Sequence, residues 1–196
     1  MLVDPNDAAD VAAVAAIQDG FAVAAGSAGP FVAGDYDTAS LDATRSALLE
    51  LNRHIDSLAG AFGRKSEVDP VKHLIGTGAG FGGLLANEAF YVNVDPEPPV
   101  GRYELEVRDV PVDGFWSISV HNADGYFPNS GQLVSVNNLT AARTDDGAVT
   151  VHFGDWGADT PNRLPIDDGW NCLVRLYRPR PEILDGSWTF PSVKGA

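Results

Sequence analysis

The sequence lacks most features that assign a protein to a compartment or a redox class. Cys172 is the single cysteine among 196 residues, so no internal disulfide can form, and its strand-like surroundings predict a buried, unreactive thiol. No apolar run approaches the ~20 residues that span a bilayer. The residues after Met1 do not form a signal peptide. We therefore expect a soluble protein with no membrane partner, and cytoplasmic by default.

Positive charge is also scarce. The chain has 13 Lys and Arg against 27 Asp and Glu, which gives a formal net charge of -14. Such an excess repels phosphate backbones and anionic lipid, so nucleic acid and membrane surfaces are not expected as partners. The 44% hydrophobic and 20% charged residues are typical of a globular protein that can bury a core.

Motifs for metals and nucleophiles are missing as well. No Gly-x-Ser-x-Gly elbow is present. A metal site needs several converging ligands, whereas the histidines occur singly, at His54, His73, His121 and His152. No metal site is therefore predicted. If the chain did bind a metal, the candidate ligands would be His121 and His152, each on the polar face of a predicted strand.

The glycine-rich segment 76–83 does not predict a nucleotide cofactor. Gly78, Gly80 and Gly83 match the spacing of a dinucleotide fingerprint, but they follow a predicted helix and precede a predicted strand. A nucleotide-binding unit has the reverse order. We interpret the segment as a flexible linker and expect no cofactor.

The first third of the chain predicts helices. Asp4 is a plausible N-cap with Pro5 at the first helical position, and Gly20 or Gly26 would end this helix. Asp69 and Pro70 predict the same opening for a short third helix. Between them, Ser40 can cap a second helix whose apolar residues recur at spacings of three, four and seven: Leu41, Leu48, Leu51, Ile55 and Leu58.

From residue 88 onward the sequence predicts strands and turns. Apolar and polar residues alternate in 103–107 and 116–121, and 134–138, 149–153 and 172–177 are further strand candidates. Gly147 predicts a hairpin turn. Strands without intervening helices favour a sandwich or jelly roll. The predicted fold class is α+β: a helical subdomain over 1–83 ending in the linker, then an antiparallel jelly-roll-like β-sandwich over 84–196.

Arg175 is the most informative candidate for ligand binding. It shares its strand face with Leu173 and Tyr177, so a guanidinium lies beside an aromatic ring. Such a pair can hold a carboxylate by a fork of hydrogen bonds. The alternative is an internal ion pair of Arg175 with Glu182 or Asp185.

Other candidates lie in predicted loops. Trp156 and Tyr126 could serve as aromatic platforms for a sugar or a flat ring, although most tryptophans in small β domains belong to the core. Asp113 and Asp124 lie at strand ends, where paired carboxylates could act as acid and base with His121. The alternative for these two carboxylates is that they are solvated turn residues.

Three functions follow from these candidates. The first is a module that binds a small polar or carbohydrate-like ligand through Arg175, Trp156, Tyr126 and Tyr177. The second is a hydrolase or isomerase that uses Asp113 or Asp124 with His121. The third is a structural protein that forms a homo-oligomer through its helices or strand edges.

Several long segments resemble one bacterial family. The segments are VDPVKHLIGTGAGFGG, GFWSISVHNADGYF, SVNNLTA, NRLPIDDGWN and VRLYRPRPEILDGSWTFP. They are similar to the C-terminal part of proteins that join domain of unknown function 1254 to domain of unknown function 1214, with the latter from about residue 88 to 193. The resemblance implies a helical region followed by a jelly-roll-like sandwich, in a short version without the usual upstream β domain, and it implies no activity.

Overall fold

In a computed structural model, the described residues are 3–4, 6–26, 29–55, 58–94, 99–127 and 133–196. The chain divides into two compact units, 1–83 and 84–196, which we call the helical unit and the β unit. The described residues of the helical unit form α1 (Ala8–Asp19), α2 (Thr38–Asn52) and α3 (Pro70–Ala79). Strands dominate the second unit. The predicted α+β class, with helices before strands, is confirmed.

Helix α1 begins later than predicted. Asp7, and not Asp4, is its N-cap, and the Asp7 carboxylate accepts hydrogen bonds from the backbone N–H groups of Ala9 at 2.8 Å and Asp10 at 3.4 Å. Pro5, the predicted first helical residue, lies outside the described residues. Gly20 ends the helix, as one of the two predicted stops.

Helix α2 also begins before its predicted cap. Asp37 is the N-cap, and its carboxylate accepts from the Ser40 N–H at 3.0 Å, so the prediction that Ser40 caps the helix is wrong. The helix ends at Asn52, before two members of the predicted apolar stripe. Leu41 and Leu51 are more than half exposed, so this stripe is not a buried face within the described residues.

Helix α3 begins at Pro70 after the N-cap Asp69, as predicted, but it includes the first part of the segment 76–83 that was predicted to be a flexible linker. Asp69 accepts from the N–H groups of the first turn, and Pro70 opens the helix, which then continues through Gly76 and Gly78 to Ala79. A Cβ on Gly78 would lie 2.8 Å from the Cβ of Leu48 in α2. Gly78 therefore allows close packing of α3 against α2, which composition alone does not distinguish from flexibility.

The β unit contains two sheets. Its strands and short helix are β1 (Ala89–Val94), β2 (Tyr103–Val107), β3 (Trp116–His121), β4 (Ser135–Asn137), β5 (Val149–Phe153), β6 (Arg163–Leu164), β7 (Asn171–Tyr177), α4 (Pro181–Leu184) and β8 (Lys194–Gly195). The first sheet has the order β1-β7-β3-β4 and is antiparallel throughout. The second has the order β6-β5-β2-β8, in which only β5 and β6 pair in parallel among the described strands.

The two sheets share one hydrophobic core. Alternate residues of β3 and β7, including Ile118 and Val174, are completely buried in the same cluster as Val151 and Phe153 of β5. The inner faces therefore cover each other in a sandwich-like arrangement, and the intervening residues of each strand lie on the two outer faces. The finer jelly-roll connectivity stays a prediction.

The predicted hairpin at Gly147 is wrong, although the turn itself forms. Gly147 adopts a φ of 84° and its N–H donates to the Thr144 carbonyl at 2.8 Å. The strand that follows, β5, pairs with β2 and β6, while residues 141–144 before the turn form no strand. Local turn chemistry predicts a chain reversal, but burial against the core decides which strands pair.

Alanine substitutions at two glycines distinguish the cost of backbone strain from the cost of steric overlap. Gly147 and Gly154 both have positive φ, but a Cβ would meet nothing at Gly147 and would collide with the Gly101 carbonyl oxygen at Gly154. We expect Gly147→Ala to lower the free energy of unfolding by about 1 kcal/mol and Gly154→Ala by roughly 1–3 kcal/mol more. Urea unfolding followed by tryptophan fluorescence reports the β unit, because all 4 tryptophans lie there. Equal losses for the two variants would contradict this packing.

Candidate functional site

A row of polar side chains crosses the outer face of the first sheet. The backbone register places Tyr91 of β1, Arg175 of β7, Ser117 of β3 and Asn137 of β4 opposite one another. All four side chains lie on the face away from the core, because paired residues in a sheet share a face and the apolar neighbours of these residues, such as Ile118 and Val174, pack in the core. The same alternation puts further residues on this surface. We call it the outer polar face, comprising Tyr91, Ser117, Ser119, His121, Asn137, Arg175 and Tyr177.

Arg175 lies at the middle of the outer polar face and is half-buried. One terminal nitrogen of its guanidinium donates to the Ser119 hydroxyl at 2.7 Å, and Ser119 is only 3% exposed. Within the described residues, no carboxylate oxygen lies within 4.0 Å of this guanidinium, so the alternative ion pair with Glu182 or Asp185 does not form there. The charge of Arg175 is thus partnered by a neutral group.

Other arginines of the β unit are partnered differently. Arg108 pairs with Asp146 at 2.6 Å, and Arg180 pairs with Asp113 at 2.7 Å. Both pairs are largely exposed, where an ion pair contributes little to stability. Arg102, Arg143 and Arg163 instead donate to backbone carbonyls. Among the described residues, Arg175 has neither a carboxylate nor a backbone carbonyl as its partner, because it donates to the Ser119 hydroxyl.

Two tyrosines flank the guanidinium. The pKa of Tyr91 is raised above its ordinary value, first by burial and then by the neighbouring Tyr177, while the positive charge of Arg175 acts in the opposite direction. Tyr91 is therefore protonated at neutral pH and can donate a hydrogen bond. The Tyr177 ring lies 5.9 Å from that of Phe115, a contact that fixes its position on the strand.

His121 lies at the end of β3 on the same face. Its ring stacks on Phe127 with the centroids 5.1 Å apart. Burial is the main cause that lowers the pKa of His121, the Arg175 charge lowers it further, and a hydrogen bond with the Asn171 side chain opposes both. At neutral pH the imidazole is uncharged and adds no second cation to the face.

The predicted catalytic carboxylates do not join His121. Asp113 is paired with Arg180, and Asp124 lies in the exposed turn after β3, where its N–H donates to the Asn122 side chain at 3.1 Å. Neither carboxylate lies within 4.0 Å of His121 across the described part of the chain. Tyr126 lies in the same turn with a side chain that is 69% exposed.

Trp156 lies on the other side of the sandwich. Its ring packs edge-on against that of His152, on the outer face of the second sheet, with the ring centroids 4.8 Å apart. The Arg102 guanidinium lies 5.5 Å from the indole centroid. The indole N–H donates to the Phe153 carbonyl at 2.9 Å. The shared core separates Trp156 from Arg175, so these two predicted ligand-binding residues cannot contact the same small ligand.

His152 is held by its neighbours. Its Nδ1 lies 2.8 Å from the Pro161 carbonyl oxygen, and its Nε2 lies 3.8 Å from a Glu104 carboxylate oxygen. His121 and His152 are on opposite outer faces and cannot share a metal ion. In the residues that the structure describes, no group of three His, Cys, Asp or Glu side chains could hold one.

A cleft of about 640 Å³ lies beside His152 and was not predicted from the sequence. Its lining comes from three parts of the chain: 142–144, 157–162, and Thr150 and His152 of β5. No local motif marks these residues, because their proximity depends on the parallel pairing of β5 with β6. Two residues of this region are candidates from the sequence: His152, which lines the cleft, and Trp156, which contacts His152 but does not line the cleft.

No helix among the described residues is long and apolar enough to cross a bilayer.

Comparisons with known proteins give one family match, within the β unit, and matches to solved structures. Residues 96–181 match the family described as Protein of unknown function (DUF1214). The chain is also similar to the solved VPA0106 protein from Vibrio parahaemolyticus, with 21% identity, a TM-score of 0.61 and coverage of 84% of this chain and 47% of that one. A solved, uncharacterised protein from Burkholderia cenocepacia shows 17% identity and a TM-score of 0.42 over 54% of this chain and 29% of that one. No curated protein matches.

The likeness to the VPA0106 structure shows the fold, and no comparison shows an activity. The 1214 part of the sequence resemblance is confirmed over residues 96–181, whereas the 1254 part stays a prediction. The VPA0106 structure shows that the fold recurs, and our chain spans about half of its length, 47%.

The charge of Arg175 should be measurable at His121. Replacing Arg175 by Gln removes one of the two causes that lower the pKa of His121, so we expect this pKa to rise while remaining below its ordinary value of 6.5, because burial persists. An NMR titration of the imidazole protons measures it, with Arg178→Gln, an exposed position three residues further along, as the control. An unchanged pKa in Arg175→Gln would contradict the contact.

The same pKa has a consequence for stability. A histidine whose folded-state pKa is depressed takes up a proton more readily in the unfolded state, so its contribution to stability is present above pH 6.5 and is lost as the pH falls below it. We expect this loss to be smaller in Arg175→Gln than in the unmodified chain. Chemical unfolding at a series of pH values, with His121→Gln as the reference that cannot titrate, measures the difference.

Proposed function

We propose from the geometry that the β unit binds a small molecule carrying a carboxylate, since the family that residues 96–181 match is described only as of unknown function. The ligand would be held on the outer polar face with Arg175 as its anchor. The observation that supports this most is the half-buried guanidinium whose one hydrogen-bond partner, among the described residues, is the Ser119 hydroxyl.

A half-buried charge without a counter-charge needs a physical reason. Removing a cation from water is costly unless it is paired, and folded proteins pair such groups or leave them in solvent. A guanidinium has five N–H donors, and Ser119 accepts from one of its terminal nitrogens. A ligand carboxylate could bind two of the remaining donors as a fork, which is the geometry in which arginine recognises carboxylates best.

The surrounding groups suit the same ligand. The protonated Tyr91 hydroxyl can donate to a carboxylate oxygen, and Tyr177 lies on the next position of that face. The neutral His121 can hydrogen-bond to an uncharged part of the ligand. The aromatic rings can cover apolar parts of the molecule.

The net charge of the chain limits how much negative charge the ligand can carry. At -14, the protein repels polyanions over long distances. Salt screens this repulsion beyond about 10 Å, so a single carboxylate in direct contact responds mainly to Arg175. We therefore propose a small mono- or dicarboxylate in place of a nucleic acid or a polyphosphate.

The test is carboxylate binding with and without the anchor. In isothermal titration with succinate and with benzoate, we expect at least one to bind the unmodified chain and Arg175→Gln to weaken that binding by at least about tenfold, since a charged hydrogen bond contributes roughly 1.5–3 kcal/mol. Arg175→Lys should recover only part of the affinity, because an ammonium cannot form the fork.

Arg178→Gln is the matched control. It removes one positive charge from an exposed residue three positions away and should leave the affinity unchanged. If neither acid binds the unmodified chain, or if Arg175→Gln binds as tightly as the unmodified chain, the proposal is wrong.

A second candidate function, self-assembly, is favoured by a different observation. No described residue of α1 or α2 is buried, and the helical unit exposes large apolar side chains, with Phe31 and Phe81 each 91% exposed. Exposed apolar patches commonly mark interaction surfaces. For the predicted hydrolase or isomerase, the described residues supply no pairing of His121 with a carboxylate.

Self-assembly predicts an oligomer that depends on these phenylalanines. In size-exclusion chromatography with light scattering, we expect the unmodified chain to exceed the mass of one copy, 20.7 kDa, and Phe31→Ser with Phe81→Ser to shift it toward that mass. Phe127→Ser, at an exposed position in the β unit, is the comparison and should leave the mass unchanged. A monomer at every concentration would exclude the assembly.

A further inference from the structure

The cleft on the second sheet is a separate feature from the outer polar face. Its floor includes Thr150 and His152, which alternate along β5 with the buried Val149, Val151 and Phe153. These side chains therefore lie on the outer face of the second sheet, with the shared core between them and Arg175. No residue of the cleft belongs to the outer polar face, so the two sites can be tested independently.

Asn162 holds the cleft open in one shape. It adopts a φ of 51°, which is uncommon for a residue with a side chain. Its amide nitrogen donates to the carbonyls of Ala142 at 2.8 Å and Thr150 at 2.9 Å, and its amide oxygen accepts from the Ala142 N–H at 2.8 Å. One side chain thus ties both walls to the floor. Strained backbone held by several hydrogen bonds is typical of preorganised sites.

The floor is fixed as well. The Nδ1 of His152 faces the Pro161 carbonyl at 2.8 Å, and because a carbonyl oxygen only accepts, Nδ1 carries the hydrogen. Trp156 packs against the edge of the same ring. The imidazole therefore cannot rotate freely, and the cleft keeps its shape without a ligand.

The lining is rich in hydroxyl groups and balanced in charge. Within the described residues, the side-chain hydroxyls of Thr150 and Thr160 make no hydrogen bond with protein, although both residues are partly buried. The charged lining residues are one cation, Arg143, which donates to the carbonyls of Gly147 and Asn138, and one anion, Asp159. Neither sign of charge dominates, so a charged ligand has no counter-charge to select it.

We infer that this cleft binds a neutral polyhydroxy molecule, a sugar or a polyol. Its volume lies within the ~300–1,000 Å³ typical of small-molecule sites. Hydroxyl groups can both donate to and accept from the two threonines, while the C–H faces of such a ligand can pack on Ala142, Ala158 and Pro161. The site is additional to the carboxylate site proposed above and does not rest on it.

The experiment maps binding by NMR on the full chain. We expect glucose, cellobiose, maltose or myo-inositol to shift the backbone amide signals of Thr150, Gly157, Thr160 and Asn162, and to leave those of Arg175 and Tyr177 in place. Succinate should leave the cleft amides unmoved, because the lining has no excess of positive charge.

Substitutions then test the two threonines and the clamp. Thr150→Val and Thr160→Val keep the shape but remove one hydroxyl each, and we expect each to weaken the binding of the responding sugar or polyol roughly threefold to tenfold. Asn162→Gly permits the same φ but removes three hydrogen bonds, and we expect weaker binding here too. Thr189→Val, an exposed position outside the cleft, is the matched control and should bind normally.

Three results would overturn the inference. The first is that none of the four probes moves the cleft amides. The second is that succinate moves them more than any sugar or polyol does. The third is that both threonine variants bind the responding probe as tightly as Thr189→Val.

Discussion

The core shared by the two sheets is the constraint on which both candidate sites depend. Along β7, Cys172, Val174 and Leu176 are almost completely buried, so Arg175 must lie on the outer face. A slip of one residue in strand register would turn the guanidinium into the core and the apolar residues into solvent. The cost of that exchange fixes Arg175 in the middle of its sheet, between β1 and β3.

The outer polar face has polar side chains at buried positions where apolar side chains would contribute more hydrophobic stabilisation. Ser117 and Ser119 of β3 are only 6% and 3% exposed, and both are polar. A strand with both faces buried usually reads as a continuous apolar run. Ser119 instead provides the hydroxyl that accepts from Arg175, and departures from local folding rules are most often found at functional sites.

The same alternation explains which predictions from sequence are confirmed. The strands at 103–107 and 149–153 and the helix start at Asp69 follow from local periodicity and capping, and the structure has them at those residues. The pairing of β5 depends on long-range burial, so the turn at Gly147 does not identify its partners. The packing of α3 against α2 likewise depends on contacts that composition does not encode.

Candidate site residues show the same limit. Alternation in β7 places Arg175 and Tyr177 on one face, as predicted, but it does not say which residues of other strands stand beside them. The register adds Tyr91 and Ser119, which sequence reasoning did not select as ligand-binding residues. The fold also places Trp156 on the opposite side of the core from Arg175. The cleft beside Asn162 is likewise a product of the fold, and no sequence motif marks it.

The most direct test of the central claim observes the Arg175 guanidinium itself. In a ¹H–¹⁵N spectrum of the arginine side chains, assigned with Arg175→Lys, addition of a carboxylate that binds should shift the Arg175 Nε–H signal and leave that of Arg178 in place. A carboxylate that binds the chain while the Arg175 signal stays unmoved would contradict the role of Arg175 as the anchor.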